Sequence, residues 1–229
     1  MALNKSKGDM FEFITHTWNP ISGICPHNCD YCYMKKMRRF PVHNVPLHYN
    51  KNYLNDNLGE NNFIFIGSST DMFCVSVKND WLLDVFCKAN WYNNTYLLQT
   101  KNPIRYLSYL DDINPRKFTL STTIETNYNN KFMGKTPLTN DRALAMKKIP
   151  KEYRRMITIE PIMYFNLRSL VKLVLSFNPE QINIGADTGN NSFSEPSAKE
   201  TIKLIETLKK ETKVYIKPNL KRIIGGYYV

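Results

Sequence analysis

Cys25, Cys29 and Cys32 sit together in 25-CPHNCDYCYM-34, three thiols within eight residues. The chain has five cysteines in all, the others being Cys74 and Cys87. An odd count with three packed together does not suit a disulfide framework, which uses spread, paired cysteines in secreted chains. In a reducing compartment, thiolates at this density select a soft metal or a cluster. Zinc usually takes four ligands, often from two CxxC pairs. No second pair follows here, although Cys74 could return as a fourth ligand. His27 lies inside the loop and would need a strained turn to coordinate beside its neighbours. A [4Fe–4S] cluster normally takes one thiolate on each of its four irons. Three cysteines leave one iron open to a substrate or cofactor, which suits catalysis better than simple electron transfer.

Such a loop needs a scaffold, and short apolar stretches supply one. Residues 11–18, 62–68, 95–100, 118–124, 155–160, 181–186 and 213–217 are rich in Ile, Thr, Tyr or Phe and read as strands. Helical periodicity lies between them. In 166–177, Leu167, Leu170, Val171 and Val174 share a face, with Asn166 placed to cap. In 194–210, Ser194 is the expected cap and Pro196 falls in the first turn. Residues 81–92 also read as a helix, which would bury Cys87 as a small apolar residue.

Alternating strands and helices predict an α/β fold with a parallel sheet. No GxGxxG follows the first strand, so a dinucleotide-binding sheet is not expected. The expectation is a full or partial parallel β/α (TIM-like) barrel, forming one domain over residues 1–229. Polar groups collect at the strand C-terminal ends: Asn19, Ser68 to Asp71, Thr100, Lys101, Thr123, Glu125, Glu160, Asp187 and Lys217. In barrels that rim carries the active site. Glu160 directly follows MITI, and Lys217 directly follows VYI, where a strand delivers a side chain to the rim. Lys217 is expected either to bind an anionic substrate group or to pair with Glu160. His16, on the first strand, is placed to face the interior and reads as structural.

Among the 229 residues, 42% are apolar and 22% charged, as in ordinary globular proteins. The net charge of +11 favours polyanionic partners such as nucleic acid. Basic residues concentrate in 34–40, 147–155 and 208–223, and the first of these is a candidate phosphate-binding patch. No apolar run reaches the roughly 18 residues of a membrane span, and the start lacks the apolar core of a secretory signal. A cytoplasmic location without a membrane partner is expected.

CPHNCDYC matches the CxxxCxΦC signature of the radical S-adenosylmethionine (SAM) superfamily, with aromatic Tyr31 before the last cysteine. The stretches WNPISGIC, GSSTDMF, TTIETN, RMITIEPIM, INIGADTG and YIKPN occur in order over nearly the whole chain. Together they resemble the phage-associated Gp37/Gp68 family (DUF5131-type), which would place the protein in a host cytoplasm. The GSSTD turn also resembles that of the spore photoproduct lyase branch. There, a cysteine near the turn serves as hydrogen donor. Here Ser68 takes that place and Cys74 lies a few residues beyond, a departure that counts against a lyase-type repair reaction.

The resemblance implies roles. Cys25, Cys29 and Cys32 would hold a [4Fe–4S] cluster whose fourth iron binds SAM. Tyr31 would pack near the adenine. Gly67, Ser68, Ser69, Thr70 and Asp71 would meet the SAM amino group, since hydroxyls and a carboxylate suit an ammonium. The same turn could instead cap the next helix. Thr123 and Glu125 would bond the ribose. Gly185 and Asp187 would let the backbone approach adenine or substrate. Glu160, Lys217 and Cys74 are the candidate catalytic residues, Cys74 as a radical relay. The cofactors implied are the cluster and SAM. The partners implied are a flavodoxin- or ferredoxin-type electron donor, a nucleic-acid or nucleotide substrate, and a further protein. Two alternatives remain: a non-catalytic metal-cluster protein that binds nucleic acid, and a radical SAM enzyme acting on a peptide or small metabolite.

Overall fold

The computed structural model describes residues 3–6, 10–36 and 45–228. It opens with Leu3–Lys5 (β1), His16–Trp18 (β2), Ile21–Ser22 (β3), His48–Tyr49 (β4) and Phe63–Ile66 (β5). Asn79–Asn90 (α1), Thr95–Thr100 (β6), Phe118–Thr123 (β7), Thr139–Lys148 (α2) and Arg154–Ile159 (β8) follow. Leu167–Leu175 (α3), Gln181–Ile184 (β9), Ala198–Lys209 (α4), Lys213–Ile216 (β10) and Lys221–Ile224 (α5) complete the chain.

Eight strands form one sheet in the order β1-β2-β5-β6-β7-β8-β9-β10. From β2 to β10 every neighbouring pair is parallel, and β1 adds an antiparallel edge. The two ends of that order, β1 and β10, do not pair, so the barrel is partial. The expected strand over 11–18 is real only at its end, because residues 12 and 13 form a turn. β3 and β4 make a separate small ribbon beside the cysteine loop.

The register divides the side chains into two faces, since paired residues point the same way. Ile64 pairs with Tyr96, which pairs with Phe118, and all three join the large core under the helices. Phe65 pairs with Leu97, and both point inward with Phe11, Ile14 and Met156. These inward residues plug the strand N-terminal end. His16 pairs with Ile64 and so faces outward, against expectation, while Thr17 pairs with Phe65 and faces in.

The helices bury one stripe each. In α1 that stripe is Leu82, Val85, Phe86 and Ala89. Cys87 lies off it and is exposed rather than buried. Asn166 caps α3 as expected, accepting from Ser169 N at 3.1 Å. The α4 cap is Ser197, not Ser194: it forms a capping box with Glu200, and Pro196 lies before the helix.

Candidate active site

The strand C-terminal ends open into a cavity of about 730 Å³. Its lining includes Cys25, Cys29 and Cys32 together with Glu160, Pro161, Asp187 and Lys217. Gln99, Thr123 and Thr158 lie at its base, with Thr158 Oγ1 donating to Gln99 Oε1 at 3.0 Å. Gln99 escaped sequence reading because it stands inside the apolar run TYLLQT. Only its inward register identifies it.

The cysteine loop is held from two directions. From below, Asp71 accepts from Phe73 N (2.9 Å), Thr100 Oγ1 (2.8 Å), Lys101 N (2.7 Å) and His27 Nε2 (3.0 Å). Burial raises its pKa, but the bonds from His27, Lys101 N and Thr100 outweigh that and leave it below the usual carboxylate range. A carboxylate with this many donors has no free lone pair for an amino group. The GSSTD turn is otherwise fixed by Asn19, whose Oδ1 accepts from Ser68 Oγ and Ser69 N, and by Thr70 Oγ1 donating to Gly23 O at 2.7 Å. Gly67, Ser68, Ser69 and Thr70 do line the cavity. The turn caps no helix, since α1 begins only at Asn79.

From the side, the segment after β7 straps the loop. Asp30 N donates to Phe132 O (2.9 Å) and Lys135 N to His27 O (2.7 Å). Gly134, at φ +65°, packs so closely that a Cβ there would lie 2.3 Å from His27 O. A side chain at this position would push the loop away.

Behind the strap lies a closed ionic network. Arg142 Nη1 meets Glu125 Oε2 at 2.9 Å, with both side chains 0% exposed. Lys101 Nζ approaches Glu125 Oε1 at 3.9 Å, and the Tyr31 hydroxyl donates to the same carboxylate. Burial raises the Glu125 pKa, but Arg142, then Lys101 and Tyr31, outweigh it, and the group lies below its ordinary value. Glu125 does not line the cavity, so it cannot bond a ribose there as expected. Thr123 does line it. Tyr31 lines the cavity too, and burial beside Glu125 raises its pKa well above the ordinary value.

The three thiols differ. Burial pushes Cys29 up to about 11, partly offset by Lys101. Cys25 is pushed down to about 6, chiefly by a hydrogen bond from Cys74, whose sulfur lies 3.9 Å away. Cys74 is raised, first by that bond and then by burial. Cys74 is buried and does not itself line the cavity, reaching it only through its contact with Cys25. His27, Asp71 and Cys74 also bring ligand atoms within 4.8 Å of one another, but Asp71 is saturated by donors, so the trio acts as a support. Three unbridged thiols on one strapped loop, opening into one cavity, fit a three-cysteine cluster.

Also on the cavity lining, Lys217 Nζ bonds both Glu160 oxygens at 2.8 and 2.7 Å, and Asn219 Nδ2 donates to Oε1 at 2.7 Å. Gly185 has a different use from the one expected. A Cβ there would lie 2.6 Å from Glu160 Oε1, so the glycine makes room for that side chain. The Asp187 carboxylate organises its own loop, accepting from Gly189 N, Asn191 N and Asn191 Nδ2. Arg142, His27 and Asn219 were missed in the sequence. The basic patch at 34–40 lies mostly outside the described residues.

The model of the DUF5131 family, a protein family of unknown function, matches residues 9–192. The chain belongs to the DUF5131 family. No curated protein matches it. Among solved structures it is similar to a cysteine-to-serine variant of spore photoproduct lyase: 12% identity, TM-score 0.66, covering 94% of this chain and 78% of that one. A spore photoproduct lyase complexed with a dinucleoside spore photoproduct gives 11% identity, TM-score 0.63, and 92% and 78% coverage. A double variant with bound AdoMet and the same dinucleoside gives 12% identity, TM-score 0.57, and 90% and 64% coverage. The fold of this DUF5131 protein is therefore the α/β partial barrel of those enzymes. No helix among the described residues is long and apolar enough to cross a membrane.

Proposed function

We propose that this protein is a radical SAM enzyme, related to the phage-associated Gp37/Gp68 group, acting on a nucleic acid or nucleotide in the cytoplasm. The observation that carries this reading is the placement of Cys25, Cys29 and Cys32 on one strapped loop at the rim of a partial parallel barrel. When bound there, a [4Fe–4S] cluster fed by a flavodoxin- or ferredoxin-type donor would supply the electron that cleaves SAM to methionine and a hydrogen-abstracting 5′-deoxyadenosyl radical.

The chain's own residues would do the rest. Asp71 and His27 fix the loop, and the strap around Gly134 keeps it seated. Lys101, whose pKa burial lowers but Cys29 and Glu125 raise further, stays cationic beside the thiolates. Ser68, Ser69, Thr70 and Thr123 present hydroxyls to the polar groups of SAM. Glu160 and Lys217 face the cavity as a polar pair that orients substrate. The net charge of +11 supports a polyanionic substrate.

The test is 5′-deoxyadenosine formation from SAM by anaerobically reconstituted, reduced protein. Formation that disappears in Cys29→Ala is the expected result. A full iron and sulfide load with no product, with or without single-stranded DNA or RNA, would move the assignment to a non-catalytic cluster protein. Product formed only with a peptide or metabolite would overturn the substrate class.

A further inference from the structure

Tyr128 and Tyr164 stand on the loops after β7 and β8, 43% and 52% exposed. Their rings are parallel within 5°, with centroids 5.9 Å apart. Neither hydroxyl bonds another described residue. The backbone around this pair is held in place. Thr126, itself buried, accepts from Tyr128 N at 3.2 Å and donates to Tyr164 O at 2.6 Å. Asn127 Oδ1 accepts from Asn166 N at 2.8 Å, and Tyr164 N donates to Ser194 O at 2.8 Å. Both loops are thereby locked together.

The pair borders a second hollow, shared with Asn129, Lys131, Phe132 and Phe193. Phe193 packs edge-on against Tyr31 with centroids 6.4 Å apart, and Tyr31 lines the cysteine cavity. The two hollows are thus the two sides of one aromatic wall. Flat faces, a lysine and side-chain amides, on a chain of net charge +11, match stacked bases and phosphate.

We propose that Tyr128 and Tyr164 form a stacking platform for a base of a single-stranded nucleic acid. The inference rests on the nucleic-acid reading of the cysteine cavity and adds where the strand leaves it. A base placed in the cavity has to be unstacked from its neighbours, and the platform gives a flanking base a new partner.

The experiment is fluorescence anisotropy of the full chain with a labelled pyrimidine-rich DNA strand, and separately with RNA of the same sequence. Tyr128→Ala with Tyr164→Ala should weaken binding by roughly 5- to 150-fold, the range for losing one stacked base. Tyr128→Phe with Tyr164→Phe should bind like wild type, because the rings remain. The salt dependence should keep its slope, since no phosphate contact is removed. Dependence on the two rings for either strand supports the platform. An alanine variant that binds as wild type does, phenylalanine variants that lose as much as alanine, or a wild-type chain that binds neither strand overturns it. Cluster-dependent SAM cleavage is measured separately. It is read on the wild-type chain against Cys29→Ala, so loss of the platform and loss of the enzyme reading are distinct results.

Discussion

Two carboxylate–cation networks sit within one barrel rim and are built from similar parts. Glu125 with Arg142 is sealed, with both side chains 0% exposed. Glu160 with Lys217 opens to the cavity, at 21% and 9%. In the sealed network every partner is protein: Tyr31, Lys101, Thr123 O and Thr136 complete it. In the open network one wall is the space a substrate would take. The same chemistry thus serves two purposes, and access to the cavity distinguishes them. The sealed pair anchors the strap and Tyr31, and through them the cysteine loop. The open pair meets whatever enters.

The sharpest way to break this contrast is Arg142→Ala. Removing one member of a buried ion pair leaves an uncompensated charge, costing about 3–5 kcal/mol. A urea titration should read this as an earlier midpoint. If Lys217→Ala costs as much, the two networks are equivalent and the distinction fails. Lys217→Ala should instead lower substrate-dependent turnover by about 10- to 100-fold, the range for losing one charged contact, with a smaller loss of stability. Gly185→Ala sharpens the same point. Its new Cβ collides with Glu160, so about 1–3 kcal/mol of overpacking should accompany displacement of the open pair alone.

The smallest effect is on acid stability. Glu125 and Asp71 both have depressed folded-state values. Their contribution is therefore full above the ordinary carboxylate pKa of about 4.3 and fades as pH falls through the folded values. The share of the melting temperature due to these two carboxylates should be constant above that pH and decline below it. Glu125→Gln should flatten the decline, and a decline unchanged in that variant would mean Glu125 contributes nothing to it.

The parallel sheet was legible in the sequence because each strand is a short apolar run with its own boundary. The open pair was legible too, since Glu160 and Lys217 each end such a run. The sealed network was not. An arginine in TNDRALAMKK reads as a solvated helix position, and α2 itself was missed because its apolar residues form no clear stripe. His27 read only as a poor metal ligand, because its partner Asp71 lies 44 residues away. Cys87 is the opposite case. Counting from Leu82, Val85, Phe86 and Ala89 places it off the buried stripe, so its exposure was readable. The cap at Ser197 was also readable, since Glu200 stands three residues on.

The apolar plug of Phe11, Ile14, Phe65, Leu97 and Met156 closes one end of the barrel interior. A chamber floored at one end receives its visitors at the other, so their order of arrival matters. Two molecules that share it through that mouth would enter in sequence, the deeper one first. A small cofactor held against the cysteine loop would be the first in and the last out. A long strand laid across the mouth would act as the door for as long as it stayed.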